Sequence, residues 1–151
     1  MVIRPAARAD AEAWRTLREA LWPEDEPADL ARDVERFFAG AVVEPLEVLL
    51  ALDDRGSAIG FAELSIRPYA EGCVTNRVAY LEGWFVAPDA RRRGIGSALV
   101  RAAERWARER GCTEFASDAL LENDVSRAAH HALGFEETER LRCFRKDVSP
   151  G

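Results

Sequence analysis

A loop that can bind a pyrophosphate group lies at residues 91–97. It reads Arg-Arg-Arg-Gly-Ile-Gly-Ser and joins an apolar segment, residues 80–86, to an amphipathic one. Gly94 and Gly96 let the backbone turn tightly and approach a ligand closely, so that successive N–H groups converge at the positive end of the following helix dipole. We therefore predict an anion site formed by Arg91, Arg92, Arg93, Gly94, Ile95, Gly96 and Ser97.

The segment after the loop distinguishes an anion site from a solvated arginine turn. Its apolar residues recur at spacings of three, four and seven and stop before Gly111, which predicts a helix beginning at Ile95. A dinucleotide-binding loop would have a third glycine near position 99, where this chain has Leu99. A Walker loop would have Gly-Lys-Ser/Thr, which the sequence lacks. The loop therefore opens a helix, as a phosphate loop does, without matching either nucleotide-binding pattern.

The composition limits the classes of partner. The 151 residues carry a net charge of −6, whereas nucleic-acid binding needs a basic face. An acidic surface suits a cationic substrate, and the same charge also serves solubility. Three widely spaced cysteines and two adjacent histidines indicate free thiols and no metal. We expect one domain, residues 1–151, in the cytoplasm, because no apolar segment resembles a signal peptide or approaches the ~18 residues of a membrane span.

The order of the predicted elements indicates a mixed sheet with helices on its faces. Strands are predicted at residues 2–4, 46–52, 58–66, 78–86 and 113–117, with one or two more within residues 135–146. Helices are predicted after Asp10, which can cap the first of them, at residues 29–38, from Ile95 to Gly111, and at residues 124–133. Residues 53–56 form a hairpin turn. This order predicts an α/β (α+β) fold with a mixed, mostly antiparallel sheet and about four helices.

A family resemblance covers nearly the whole chain. Asn123 and residues 126–135, which end Ala-Leu-Gly-Phe, resemble the second acyl-CoA segment of the GCN5-related N-acetyltransferases, and residues 91–97 resemble their acyl-CoA loop. Four residues before the glycine this family usually has a tyrosine, proposed to protonate the leaving thiolate, and this chain has His130. Narrower similarity, to the aminoglycoside 6′-N-acetyltransferases, lies in residues 21–23, 80–86, 115–118 and 129–135.

The resemblance implies a splayed sheet, acetyl-CoA as co-substrate and an amine as acceptor. Acetyl-CoA would lie against Phe85, Val86, the 91–97 loop, Asn123 and Ser126. If the strand at residues 78–86 splays at its end, as in this superfamily, an N–H near Val86 can bind the thioester oxygen. His130 would protonate the thiolate; alternatively it is a helix-face histidine and the proton comes from water. The narrower resemblance implies acetylation of the 6′-amino group of aminoglycosides, which inactivates these antibiotics.

Two carboxylates are candidates for the general base of such a transfer. Glu82 lies within an apolar strand, where an ionised group is costly unless it is paired or takes part in chemistry. It can orient the acceptor's amine and take its proton, or it can be a buried glutamate paired with Arg67 or Arg77. Asp118 would bind a second ammonium or share the base role, with an N-cap or Asx-turn aspartate as the alternative. Alternation places on one strand face Tyr80, Glu82, Trp84 and Val86.

An aromatic residue and several acidic ones are candidates for binding a polycationic sugar. Trp22 follows the first predicted helix and lies beside Glu24, Asp25 and Glu26, which suits stacking on a sugar ring and charge-assisted hydrogen bonds. A core tryptophan that closes the helix is equally consistent with the sequence. Further candidates, each of which can also be an ordinary surface residue, are Tyr69, Glu136, Glu137 and Glu139.

Two other functions stay open from the sequence. The first is acetylation of a different amine, such as a polyamine, a small metabolite or a protein N-terminus. The second is a non-catalytic acyl-CoA sensor, against which the two carboxylates argue. Edge strands near the C-terminus favour a homodimer. Neither nucleic acid nor a membrane is expected as a partner.

Overall fold

The computed structural model describes residues 1–41 and 44–149 and divides into two compact units. The second unit begins at Ala119 and contains helix α4 (Asp124–Ala132). The first unit, Met1–Asp118, contains a five-stranded sheet and three helices. In chain order its elements are β1 (Val2–Pro5), α1 (Ala11–Leu21), α2 (Pro27–Phe38), β2 (Glu47–Leu52), β3 (Ala58–Arg67), β4 (Val78–Val86), α3 (Ile95–Glu109) and β5 (Glu114–Ser117).

The strands lie in the sheet in the same order as in the chain. Every neighbouring pair is antiparallel except β4 and β5, which are parallel because α3 forms the crossover between them. Between β2 and β3 the side chain of Asp53 accepts hydrogen bonds from the N–H groups of Arg55 and Ser57, and Gly56 has a φ of +81°. The predicted hairpin and the mixed, mostly antiparallel sheet are thus confirmed.

Helices cover the two faces of this sheet. On one face, Trp14 of α1 and Val34 of α2 pack against β2 and Phe61 of β3, and all three side chains are almost fully buried. Gly60 precedes Phe61 and therefore faces the opposite side, where a Cβ would lie 3.3 Å from Leu99 of α3. The amphipathic patterns of α1, α2 and α3 thus bury one stripe each against the sheet.

The start of α1 differs from the sequence prediction. Asp10 precedes the helix but makes no capping hydrogen bond to it. Its carboxylate instead accepts the N–H of Ala7 at 2.7 Å and pairs with the guanidinium of Arg4. The reason is the short 3₁₀ turn Arg8–Asp10, which brings the carboxylate back towards Ala7. The hydrogen bond from Arg4, with that from the Ala7 N–H as a smaller cause, holds the pKa of Asp10 below its usual range.

The sheet opens between β4 and β5. Pairing of these strands ends where Leu81 faces Ser117, whereas β4 continues to Val86 and stays paired with β3 as far as Gly60. Among the strands that the structure describes, β4 therefore has a neighbour on one side only after Leu81. This gap agrees with the splay that the family resemblance implied at the end of the strand.

The second unit differs from the prediction in its C-terminal part. Helix α4 forms as expected, with the side chain of Asn123 accepting the N–H of Ser126 at its N-terminus and Gly134 at φ +89° after its end. Residues 135–149 contain no strand, although one or two were predicted within residues 135–146. A strand needs a hydrogen-bonded neighbour, and the described part of this unit offers only a helix. Phe144 is consequently 91% exposed.

Candidate functional site

A β-bulge sets the position of Glu82. Glu63 of β3 faces Gly83 and Leu64 faces Leu81, so Glu82 is an extra residue in β4 without a partner across the ladder. Bulges re-aim side chains and interrupt the alternation of faces. The prediction that Glu82 and Trp84 share a face is therefore wrong: Trp84 packs on α3, where its indole N–H donates to the carbonyl of Gly96, while Glu82 lines a cavity with residues of α1 and α2.

Both oxygens of the Glu82 carboxylate are engaged. The guanidinium of Arg67 pairs with Oε1 through Nη2 and with Oε2 through Nε at 3.1 Å, and the hydroxyl of Ser65 donates to Oε2 at 2.9 Å. The side chain of Glu82 is 16% exposed. The paired glutamate that the sequence left open is thus present, with Arg67 as its partner, and the pair lies at a cavity rather than in the sealed core.

A tyrosine connects this pair to the second carboxylate. The guanidinium of Arg67 lies 3.6 Å from the centre of the Tyr80 ring, and the Tyr80 hydroxyl donates to Asp118 at 2.7 Å. Burial, with the hydrogen bond to Asp118 as a second cause, raises the pKa of Tyr80 far above its usual value, so it stays a neutral donor. Asp118 is exposed at the end of β5 and is held by Tyr80. Glu82 and Asp118 therefore belong to one connected group of side chains.

The cavity beside Glu82 has a volume of about 200 Å³ and polar walls. Trp22 forms one wall of the cavity. Its indole ring also packs against Gly83, where a Cβ would lie only 2.9 Å from the ring. This close contact requires glycine next to Glu82. The other lining residues come from α1, α2, the segment before β2, β3 and β4: Arg18, Asp33, Glu44, Pro45, Glu63 and Glu82.

A buried ion pair supports the floor of the cavity. Arg18 of α1 donates to both oxygens of Glu63, at 2.8 and 3.3 Å, and the indole of Trp14 donates to the same carboxylate at 3.0 Å. Burial raises the pKa of Glu63, and the charge of Arg18 opposes the rise. The guanidinium also lies 5.0 Å from the Trp22 ring. Sequence reasoning missed this pair, although Glu63 gave the same signal as Glu82, a carboxylate within an apolar strand.

The open edge of β4 presents a backbone donor. The N–H of Ala87 points towards β3 and donates to the carbonyl of Ile59 at 2.8 Å. Because N–H groups alternate between the two edges of a strand, the N–H of Val86 points to the opposite edge, where β5 has already ended. The carbonyl of Val86 accepts the Nε–H of Arg91 at 2.8 Å, which ties the following loop to this edge.

The loop at residues 91–97 forms an uncapped helix start. Gly94 is the N-cap of α3 with φ +76° and makes no side-chain cap, so the first N–H groups of the helix are not taken by a capping side chain. Arg92 also has a positive φ, of +66°. A Cβ on Gly96 would lie 3.2 Å from the Trp84 ring, so this glycine serves the packing of Trp84 under the loop. Arg91, Arg92 and Arg93 are exposed around this helix start.

The remaining predicted site residues are dispersed. In the first unit, Trp22 is half-buried at the cavity, whereas four other candidates are exposed: Glu24, Asp25, Glu26 and Tyr69. In the second unit, Nδ1 of His130 lies 2.7 Å from the carbonyl of Ser126, one turn earlier in α4, and its ring packs on Phe135. The three glutamates predicted as candidates in this unit, Glu136, Glu137 and Glu139, are exposed, and Glu137 pairs with Arg140.

Among the residues that the structure describes, no group of three or more His, Cys, Asp or Glu side chains is arranged to hold a metal ion. Within the same residues, no helix is both long and apolar enough to cross a membrane.

A helix start with open N–H groups, a splayed strand edge beside it and an acidic cavity are the arrangement expected of an acyl-CoA-dependent N-acetyltransferase. The acetyltransferase (GNAT) family model matches residues 13–135, most of the chain. This protein belongs to the GNAT family. The sequence resemblance to that family is confirmed.

Relatives within the GNAT family are similar over almost their whole length. An aminoglycoside N(6′)-acetyltransferase type 1 from Klebsiella aerogenes is 52% identical over 147 residues, which are 97% of this chain and 97% of that protein. The solved structure of AAC(6′)-IG from Acinetobacter haemolyticus, an aminoglycoside antibiotic 6′-N-acetyltransferase, is similar with a TM-score of 0.90 and 41% identity, over 99% of this chain and 100% of the other.

One solved structure carries a ligand that joins both substrates of its enzyme. It is AAC(6′)-Iy in complex with the bisubstrate analogue CoA-S-monomethyl-acetylneamine. The similarity to this GNAT chain has a TM-score of 0.89 at 42% identity and covers 97% of this chain and 98% of the other.

Proposed function

We propose that this protein transfers an acetyl group from acetyl-CoA to the 6′-amino group of an aminoglycoside. The observation that carries the proposal is the proximity, within one compact unit, of the uncapped α3 start, the open edge of β4 and the acidic cavity at Glu82. The activities of relatives that cover almost the whole chain support the same acceptor.

The loop residues fit acetyl-CoA. The pyrophosphate would be held by the 91–97 loop, because its backbone donors are not used by a cap and its arginines are exposed. Phe85 and the N–H of Val86 would lie along the acyl arm at the open edge of β4. For Asn123 and Ser126 a role in binding acyl-CoA rests on the family resemblance alone. When bound, acetyl-CoA supplies the activated acetyl group. The Val86 N–H is the donor that we assign to the thioester oxygen as negative charge develops on it.

The acidic cavity fits the amine. Glu82 would orient the acceptor's ammonium and take its proton, and the neutral nitrogen would then attack the thioester carbon, forming the amide and expelling the CoA thiolate. Asp118 would bind a second ammonium, and Trp22 would stack on a sugar ring. The thiolate takes up one proton, either from water or, as the family resemblance implies, from His130.

The proposal is tested by thiol release from acetyl-CoA with a panel of acceptors. The sharpest comparison is a matched pair of aminoglycosides that differ only in carrying a 6′-amine or a 6′-hydroxyl group, together with a polyamine and a simple monoamine. We expect turnover of the 6′-amine only, with the product's acetyl group placed on N6′ by NMR. Equal turnover of both members, or of the polyamine alone, would assign a different acceptor. Binding of acetyl-CoA without turnover of any amine would favour the sensor.

We further propose that residues 1–151 act as one N-acetyltransferase domain, and that the protein is a cytoplasmic homodimer. Exposed apolar side chains of the C-terminal segment, Leu141, Phe144 and Val148, support association. Sedimentation equilibrium at micromolar concentration should give about twice the 16.8 kDa of one chain. A mass equal to one chain at all concentrations would contradict the dimer.

A further inference from the structure

Arg67 holds the position on Glu82 that an acceptor's ammonium would need. Its guanidinium engages both carboxylate oxygens, through Nη2 to Oε1 and through Nε and Nη2 to Oε2 at 3.1 and 2.9 Å. A bidentate pair of this kind leaves little acceptor capacity on a carboxylate whose Oε2 also receives the Ser65 hydroxyl. A cation that binds Glu82 therefore has to take the place of a cation that is already there.

The surroundings of Arg67 allow it to leave. Its side chain is 34% exposed, in contrast to the 7% of Arg18 in the neighbouring pair. A second carboxylate, Glu44, lies 3.8 Å from Nε at the mouth of the same cavity. The guanidinium can thus move from Glu82 towards Glu44 and solvent without becoming a buried unpaired charge, which is the costly alternative for an arginine.

We propose that Arg67 is a specificity-determining residue: it is a resident cation on Glu82 that the acceptor must displace, and it thereby selects for acceptors with several amines. The inference rests on the proposed function and adds to it a reason for the preference. A monoamine exchanges one cation for another on Glu82 and gains little. A polycationic acceptor makes further contacts, to Asp118 and the cavity wall, which offset the loss of the Arg67 pair.

Displacement can be observed directly in the unaltered protein. In the acceptor-free protein the Nε–H of Arg67 should give a resolved, slowly exchanging ¹⁵N–¹H signal, because it donates to a half-buried carboxylate. The signal is assigned by its absence in Arg67→Lys. Saturation with a polycationic aminoglycoside should increase its hydrogen-exchange rate about tenfold or more, because a donor released to water exchanges freely. A signal that stays equally protected at saturation would overturn the proposal.

Selectivity provides the second test. Arg67→Met should tighten binding of a monoamino sugar by about two- to fivefold, the contribution of one partly exposed ion pair, and should change binding of a polycationic aminoglycoside less. Arg67→Lys should retain the selectivity of the unaltered protein, because it restores the cation. Arg15→Met is the matched control, because it removes the same charge at a position outside the cavity lining. Arg15 is 33% exposed and pairs with Glu12 and Glu19 on α1.

The outcomes separate this inference from the proposed function. If the unaltered protein acetylates no aminoglycoside, the function is wrong. If it does acetylate them, but Arg67→Met weakens monoamine binding or leaves the ratio of the two affinities equal to that of Arg15→Met, only the role of Arg67 is wrong. Calorimetric affinity for acetyl-CoA should be unchanged in all three variants, which also checks that each of them is folded.

Discussion

Two glutamate–arginine pairs lie side by side in this protein, and they differ mainly in their access to water. Glu63 on β3 pairs with Arg18, and these side chains are 3% and 7% exposed. Glu82 on β4 pairs with Arg67, at 16% and 34%. The first carboxylate also receives an indole N–H, and the second a serine hydroxyl.

The difference follows from the strand geometry. Glu63 is paired with Gly83 across the ladder and meets Trp14 and Arg18 of α1, whereas Glu82 is the extra residue of the bulge and lies at the cavity. Trp22 lies near the guanidinium of Arg18 and against Gly83, the residue after Glu82. The buried Glu63–Arg18 pair therefore supports packing, whereas the Glu82–Arg67 pair, which water reaches, can exchange its cation.

Disruption of the buried Glu63–Arg18 pair should have the largest effect on stability. Arg18→Met leaves a buried carboxylate without its cation and should lower the free energy of unfolding by about 3–5 kcal/mol at pH 8. Burial already raises the pKa of Glu63, and loss of Arg18 removes the opposing charge. The folded state then binds a proton more tightly than the unfolded state, so stability relative to the unaltered protein should recover as the pH falls towards 5.5.

Urea denaturation at the two pH values checks this prediction. Arg15→Met, on the same helix, is the control and should cost less than about 1 kcal/mol, because its ion pairs are at the surface. Two results would show that the Glu63–Arg18 pair does not support the fold. One is an Arg18→Met variant as stable as the control, and the other is a variant that loses further stability relative to the unaltered protein in acid.

Binding of acetyl-CoA at the 91–97 loop should be affected independently of the two glutamate–arginine pairs. Gly96→Asp adds a Cβ 3.2 Å from the Trp84 ring and a negative charge at the α3 start, so affinity for acetyl-CoA should fall by about 10- to 100-fold. Gly96→Ala adds the Cβ without the charge and should lose less. Calorimetry with acetyl-CoA measures both. Wild-type affinity in Gly96→Asp would place the pyrophosphate elsewhere.

Replacement of Trp22 tests whether the indole wall of the cavity binds the acceptor. Trp22→Ala removes the wall of the cavity next to Gly83, and we expect KM for an aminoglycoside to rise by about tenfold while kcat changes little, since the indole binds rather than reacts. Steady-state kinetics with acetyl-CoA saturating gives the two values. A loss confined to kcat would indicate that the indole positions the reacting groups instead.

The exposed acidic residues should have the smallest effect. Replacement of Glu24, Asp25 and Glu26 by the corresponding amides should weaken aminoglycoside binding by no more than about threefold at 0.15 M salt, because exposed charges are screened over about 8 Å. The same variant compared at low salt should show a larger difference. An effect that does not depend on salt would mean that these side chains contact the acceptor directly.

Much of the fold could be predicted from the sequence, because hydrophobic periodicity and turn residues act locally. The hairpin at Asp53 and the helix after Gly94 are examples. The bulge at Glu82 could not be predicted, since it depends on how two distant strands are registered. The strands predicted within residues 135–146 have the right pattern, yet a strand also requires a neighbour, which a pattern within one segment does not specify.

The parts of the candidate site that depend on residues within one segment could be predicted from the sequence. The parts that depend on contacts between distant residues could not. Glycines in a loop and a carboxylate in an apolar strand identified the 91–97 loop and Glu82. The identity of the cation on that carboxylate, and the tyrosine that links it to Asp118, follow from side chains that meet only in the folded sheet. Arg18 was not singled out because an arginine on an amphipathic helix ordinarily faces water.

The role of Glu82 as the general base is tested most directly by the pH dependence of kcat in Glu82→Gln, measured beside Asp118→Asn. We expect Glu82→Gln to lower kcat at neutral pH by about 10²–10⁴, with partial recovery at higher pH as the acceptor's amine loses its proton unaided, while acetyl-CoA affinity is retained. We expect Asp118→Asn to lower kcat as well if it shares the base role, and otherwise to raise KM. Near-normal kcat with an unchanged pH profile in both variants would show that neither carboxylate takes the proton.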